Sequence, residues 1–194
     1  MEATPTVPSE GSAPSRVANP LLAATIRLEE SSALDGLRRV YAVASAPVDR
    51  TAGGDLLRSG LIGHALHPLL TDLPLGCWTA ASVLDLRGRR EDRGAARWLV
   101  GAGLAAVAPT VLTGLAEWAR ADPRAQRVGA VHGILNGLAT SFYLGSFVLR
   151  PRRHSVGVAL ALAGATIAGV SGYLGGHLTT ARKVGSRDPA LAAP

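Results

Sequence analysis

Residues 128–149 and 154–181 contain no Asp, Glu, Lys or Arg. Residues 98–119 contain only Glu117, and residues 65–86 contain only Asp72 and Asp85. A helix of this length in water needs a charged face, whereas a bilayer core about 30 Å thick calls for about 20 mainly apolar residues per crossing. Each block meets that length. Mean hydropathy is +0.23 although 18% of the residues are charged, so charge and apolar surface are segregated along the chain. The blocks predict an all-α fold: a transmembrane antiparallel four-helix bundle with crossings near 68–86, 97–118, 128–149 and 156–178.

The domain reading follows. Residues 1–20 are rich in Pro, Ser, Ala and Thr and read as a disordered tail; they lack the basic-then-apolar order of a signal peptide. Residues 21–63 read as an amphipathic, interfacial helical segment. Within it Leu34, Leu37, Val40, Tyr41 and Ala44 recur at helical spacing, with Ser31 or Ser32 as the N-cap. Pro47 and Gly53-Gly54 break this helix before a second short one near 55–61. Residues 64–181 form the membrane domain, and 182–194 a flexible tail.

Within the membrane domain, Pro68 suits the first position of crossing one. Pro74 either kinks crossing one or leaves a carbonyl near residue 70 without its helical donor. Trp98 and Trp118 bracket crossing two, 20 residues and so about 30 Å apart, as an aromatic belt would be. Crossing four carries two ladders of small residues, Gly157/Ala161/Ala165/Gly169 and Gly164/Ala168/Gly172/Gly176; Gly133 and Gly137 do the same on crossing three. In lipid, such faces mark close helix contacts, so two contact sides are expected on the fourth helix.

The net charge of +6 does not point to nucleic acid. The arginines lie in the short connections between blocks, where topology uses them, and aromatics are only 4%, too few for a stacking platform. Nineteen of the 20 basic residues are Arg, which with the Ala and Gly excess reads as a GC-rich bacterial genome and places the chain in the bacterial inner (plasma) membrane as a multi-pass protein. Eight basic residues fall on each side, so their count does not set the orientation. Cys77, the single cysteine, is a packing residue.

His64 and His67 precede crossing one, His132 lies a turn into crossing three, and His177 ends crossing four. Alternating helix direction brings all four to the end that holds the termini, while His154 lies in the opposite turn. Asp72, Glu117, Asn136 and Tyr173 follow them inward as supporting polar groups. Ionisable groups inside a crossing usually face the interior with partners. Imidazole is the commonest metal ligand, and two histidines on different helices can hold haem iron. The leading reading is therefore a non-catalytic redox or respiratory accessory whose His67, His132, His177 and His64 bind haem b or a transition metal. A structural or assembly module that docks a soluble partner without a cofactor is the alternative. A proton-coupled transporter is the third. No nucleophile triad, paired cysteines or phosphate loop supports an enzyme.

The segment GHALHPLLTDLPLG (Gly63–Gly76) resembles the signature of domain-of-unknown-function family 2231, a bacterial four-helix membrane family sometimes fused to Rieske iron–sulfur domains. The resemblance continues through LTGLAEWA (Leu112–Ala119), VHGILN (Val131–Asn136) and GYLGGHL (Gly172–Leu178), and covers roughly residues 30–185. It places His64, His67, Pro68, Asp72, Pro74, His132, Asn136, Gly175, Gly176 and His177 on the family's pattern, with departures at Ala65 and Glu117. It implies a fold and a motif set without a reaction. The fusion hints at a Rieske-type or other redox protein as partner, beside the lipid bilayer.

Overall fold

The computed structural model describes residues 19–50, 52–58 and 64–185, and every regular element among them is helical. Three short helices come first: α1 (Pro20–Glu30), α2 (Asp35–Asp49) and α3 (Ala52–Leu57). Four long ones follow: α4 (Leu66–Arg87), α5 (Arg93–Ala119), α6 (Pro123–Leu149) and α7 (His154–Gly176), the last continued by a π-helical turn over His177–Ala181.

The long helices begin ahead of the apolar blocks that predicted them, and in α6 a cap supports the polar start. Pro123 opens α6 and Asp122 caps it, its side chain accepting from the amides of Arg124 and Ala125 at 2.9 and 3.1 Å. Gly88 closes α4 at φ 70°, a left-handed conformation that costs glycine little. Pro68 is the third residue of α4, still in the first turn where no N–H is needed. The carbonyl left without a donor by Pro74 is satisfied across the helix pair: Thr110 Oγ1 donates to Leu70 O at 3.1 Å.

α4 packs tightly along α5, and α6 along α7, while contacts between these two hairpins are thinner. One stripe of α7 faces its neighbours: Gly157, Ala161, Gly164, Ala168 and Ser171 are buried. Gly164 lies under the Tyr143 ring, and Gly157 against the Arg150 stem. That stripe takes the first half of both small ladders, and the later members make no second contact side. Gly169, Gly172 and Gly176 face open space, as does Gly137 on α6. Small residues permit close approach but do not create a neighbour.

Between the hairpins, the Trp78 and Tyr143 rings stack 3.9 Å apart at 15°. Ala81, Ala96, Val100 and Ala161 pack around them. Such an aromatic pair contributes about 0.5–1.5 kcal/mol beyond its buried area. Beyond the stack, Asp85 and Arg150 form a two-pronged ion pair at 2.7 and 2.5 Å with both side chains 1% exposed. Arg150 Nε also donates to Ser146 Oγ at 3.1 Å.

The N-terminal segment differs most from expectation. α1 has no counterpart among the expected helices; Asn19 caps it through the amides of Leu21 and Leu22. Neither Ser31 nor Ser32 caps α2. A 3-10 turn over Ser32–Leu34 leads directly into it. α2 also runs through Pro47 to Asp49, and α3 starts three residues before the expected helix at 55–61, the end of which lies outside the described residues. Val40 is 64% exposed and Ala44 is exposed too, so the packed face runs through Tyr41 and Ser45 instead. The expected tails 1–20 and 182–194 lie mostly outside the described residues, but Pro20 is already helical and Val184 N bonds Leu178 O at 2.9 Å.

Arginines of the terminal end hold these helices down. Arg127 of α6 clasps Asp35 at 2.9 and 3.1 Å and donates to Glu29 O at 2.9 Å. Arg120 reaches Asp49 at 3.1 Å, and Arg182 pairs with Glu29. Residues counted in the sequence as topological charges are thus also structural ties.

Polarity is inverted relative to a water-soluble protein. Leu69, Leu73, Val83, Leu86, Ile134, Leu144 and Val170 are each about half exposed or more, while Thr113, Glu117, Ser146, Arg150 and Ser171 are buried. α5 and the run His154–Ala181 are each long and apolar enough to cross a membrane. α4 and α6 are comparably long but diluted by Asp72, Asp85, His132 and Asn136. Trp98, 77% exposed, suits a membrane interface. Trp118 corrects the belt reading: it is 7% exposed, donates Nε1–H to Gln126 O at 2.8 Å and packs on Tyr41. Spacing along a helix gives depth but not the side of the helix.

Candidate functional site

A cavity of about 380 Å³ lies between the two hairpins at the terminal end. All four long helices line it, and Tyr41 of α2 covers it. The lining is mainly apolar, with His67, Glu117, His132 and Asn136 among its few polar side chains. The Trp78–Tyr143 stack closes it on the inner side.

His67 is fixed by α5. Its Nδ1 lies 3.0 Å from Thr110 O, and since a carbonyl only accepts, Nδ1 carries the proton. Gly114 makes room for the ring: a Cβ there would come within 2.8 Å of Cε1. Nε2 is left with its lone pair and makes no hydrogen bond among the described residues. Donation of the other ring N–H to a backbone carbonyl is the arrangement that orients an imidazole for a ligand.

His132 is built differently. Nδ1–H donates to Ser171 O at 2.8 Å, and Nε2 accepts from Asn136 Nδ2 at 2.9 Å. Ser171 Oγ donates to His132 O at 3.0 Å. Both ring nitrogens are therefore committed, and Asn136 is the partner that commits one of them. Asn136 lies one turn beyond His132 on α6, and Tyr143, two turns further, is 1% exposed.

Of the remaining sequence candidates, His177, His64, Asp72 and Tyr173 stand apart from the cavity. His177 Nε2 donates to Glu29 Oε1 at 2.7 Å, joining α1 to the end of α7. His64 and Asp72 are exposed, and Tyr173 is 39% exposed. Glu117 is 4% exposed and lines the cavity beside the returning chain at Gly185. Among the described residues, no three His, Cys, Asp or Glu side chains gather as a metal site.

A family model described as predicted membrane protein (DUF2231) matches residues 63–188. The chain belongs to the DUF2231 family. Neither a curated protein nor a solved structure matches it. As a DUF2231 protein it contacts the lipid bilayer.

Three residues of the site carried no signal in the sequence. Thr110 and Gly114 lie within an apolar crossing, and Tyr41 falls on the amphipathic helix expected at the membrane surface. Chemically, the DUF2231 cavity offers a mainly apolar chamber into which His67 presents a directional lone pair, with the Glu117 carboxylate and Asn136 amide also in the lining. Such a chamber, within the roughly 300–1,000 Å³ of small-molecule sites, selects an apolar body carrying one group that engages an imidazole nitrogen.

Proposed function

We propose that this DUF2231 protein is a non-catalytic binding module of the bacterial inner membrane, with all four long helices crossing the bilayer. It holds one largely apolar ligand between its hairpins. The observation that carries the reading is His67: oriented by Thr110, with no hydrogen bond to Nε2 among the described residues, and set in a mainly apolar cavity. Support for four crossings comes from the apolar exterior that α4 and α6 share with α5 and α7.

The donor set narrows the cofactor expectation. Haem b, if bound, would be held by His67 rather than His132, because His132 would have to give up Ser171 or Asn136 to bind iron. Bound there, iron would supply one-electron chemistry, with Gly114 and Thr110 holding the His67 ring in place. A metal held by protein ligands alone is disfavoured, since one free imidazole is a weak site. A lipid-soluble molecule that donates a hydroxyl proton to Nε2 uses the same geometry.

The test is to purify the full chain in mild detergent, record its absorption spectrum and metal content, and analyse extractable small molecules by mass spectrometry. One compound at near-equal stoichiometry is expected, lost in His67→Ala and retained in His177→Ala. Absence of any stoichiometric compound, or its retention in a folded His67→Ala protein, overturns the proposal.

A further inference from the structure

At the end opposite the His67 cavity, the turns before α5 and α7 enclose a second pocket of about 400 Å³. Arg93, Arg97, Arg150, Arg152 and His154 line it, and no acidic side chain does. The arginines are not equivalent. Arg150 is neutralised by Asp85 and forms the buried floor. Arg97 is held in place, its Nε donating to Phe147 O at 3.3 Å and its guanidinium 4.4 Å above the Phe147 ring. Its terminal nitrogens remain available. Arg93 and Arg152 are exposed and have no carboxylate partner among the described residues.

We infer that this pocket is a binding site for a phosphate monoanion or diester, occupied by the headgroup of an anionic phospholipid. Three arginines without carboxylate partners converge on one concavity, and guanidinium groups match phosphate oxygens in pairs. The backbone adds to this field. Both helices begin at the pocket without a side-chain cap, so their N-terminal dipoles add positive potential there, while Asp92 at the start of α5 pairs with Arg87 at 3.6 Å. Gly94 in the lining presents no side chain to block an approach.

Depth selects lipid over free phosphate as the source. Trp98 adjoins Arg97 in sequence and is 77% exposed, the position of an indole at headgroup level. The apolar flank beside it, with Val156 42% exposed, is available to the acyl chains. Basic pockets between membrane helices commonly hold anionic headgroups in this way. The inference is independent of what the His67 cavity binds.

The test uses the full chain in nanodiscs of phosphatidylcholine with and without phosphatidylglycerol, with native mass spectrometry of retained lipid and thermal melting. Wild type is expected to retain phosphatidylglycerol selectively. Each basic residue near an anionic headgroup is worth about fivefold in affinity, so Arg93→Gln with Arg152→Gln should weaken retention about thirtyfold. Arg89→Gln with Arg90→Gln removes the same charge from the adjoining turn outside the pocket and should leave retention nearly unchanged. Arg93→Lys with Arg152→Lys, which keeps the charge, should retain most of the binding and separates charge from folding. Equal loss in both Gln pairs, or equal retention of phosphatidylcholine, overturns the site. Protection by inorganic phosphate in pure phosphatidylcholine, with no selectivity for phosphatidylglycerol, overturns the lipid headgroup as its occupant.

Discussion

Replacing Asp85 by Ala isolates the energetics of the buried ion pair. In the folded protein the Arg150 guanidinium is 1% exposed and meets Asp85 through both terminal nitrogens. Without the carboxylate its remaining side-chain acceptor is Ser146 Oγ, at 3.1 Å from Nε. Breaking one side of a buried pair leaves an uncompensated charge and costs about 3–5 kcal/mol. At roughly 2–4 °C per kcal/mol for a chain of this size, the melting temperature in detergent should fall by about 6–20 °C. The double variant Asp85→Leu, Arg150→Met removes both charges at similar volume and should return to within about 1–2 kcal/mol of wild type. The assay is thermal melting of wild type, the single variant and the double variant in one detergent. A single-variant cost below about 1 kcal/mol, the scale of an exposed pair, would refute the reasoning, because it would mean that water reaches Arg150.

The Glu29 carboxyl is held below its ordinary value of 4.5, first by the hydrogen bond from Arg182 and also by that from His177, against desolvation. A depressed folded value stabilises the protein above the unfolded pKa and loses that contribution as pH falls through the folded one. Amide exchange in α1 should therefore quicken below about pH 4.5 in wild type and lose that dependence in Glu29→Gln. Thr110→Val leaves the Leu70 carbonyl without its donor and should cost about 1–3 kcal/mol by denaturant titration. Gly103→Ala forces a methyl into the Trp78 indole and should cost about 1–3 kcal/mol in melting experiments. Gly169→Ala, on an open face of α7, should be neutral or stabilise by up to about 1 kcal/mol.

The parts of this fold that rest on pattern along one helix were legible in the sequence. The four apolar blocks gave the long helices, Pro74 gave the orphan carbonyl at Leu70, and alternating direction brought His67 and His132 to one cavity. Readings that depend on rotation about a helix, or on distant segments, were not. Trp118 has the right depth for a belt residue, yet it turns inward to Gln126 O, 8 residues away. His177 bonds Glu29, 148 residues earlier, in a helix without a strong apolar stripe. Arg150 sits among loop arginines in sequence, and only its distance to Asp85 distinguishes it. The free and committed states of His67 and His132 likewise depend on Thr110 and Ser171, two hydroxyl residues that carry no signature of their own.

Each hairpin satisfies itself more fully than it satisfies the other. α4 with α5 and α6 with α7 bury extensive shared surface, whereas the line between the pairs is thin and widens at the cavity. The softest motion of such an object is the parting of two leaves about the Trp78–Tyr143 stack, with each leaf moving as a solid. Thr110 and Gly114 travel with His67 on one leaf, Ser171 and Asn136 with His132 on the other. Opening therefore changes the width of the chamber without disturbing either imidazole, and whatever enters adjusts the leaves rather than the groups that receive it.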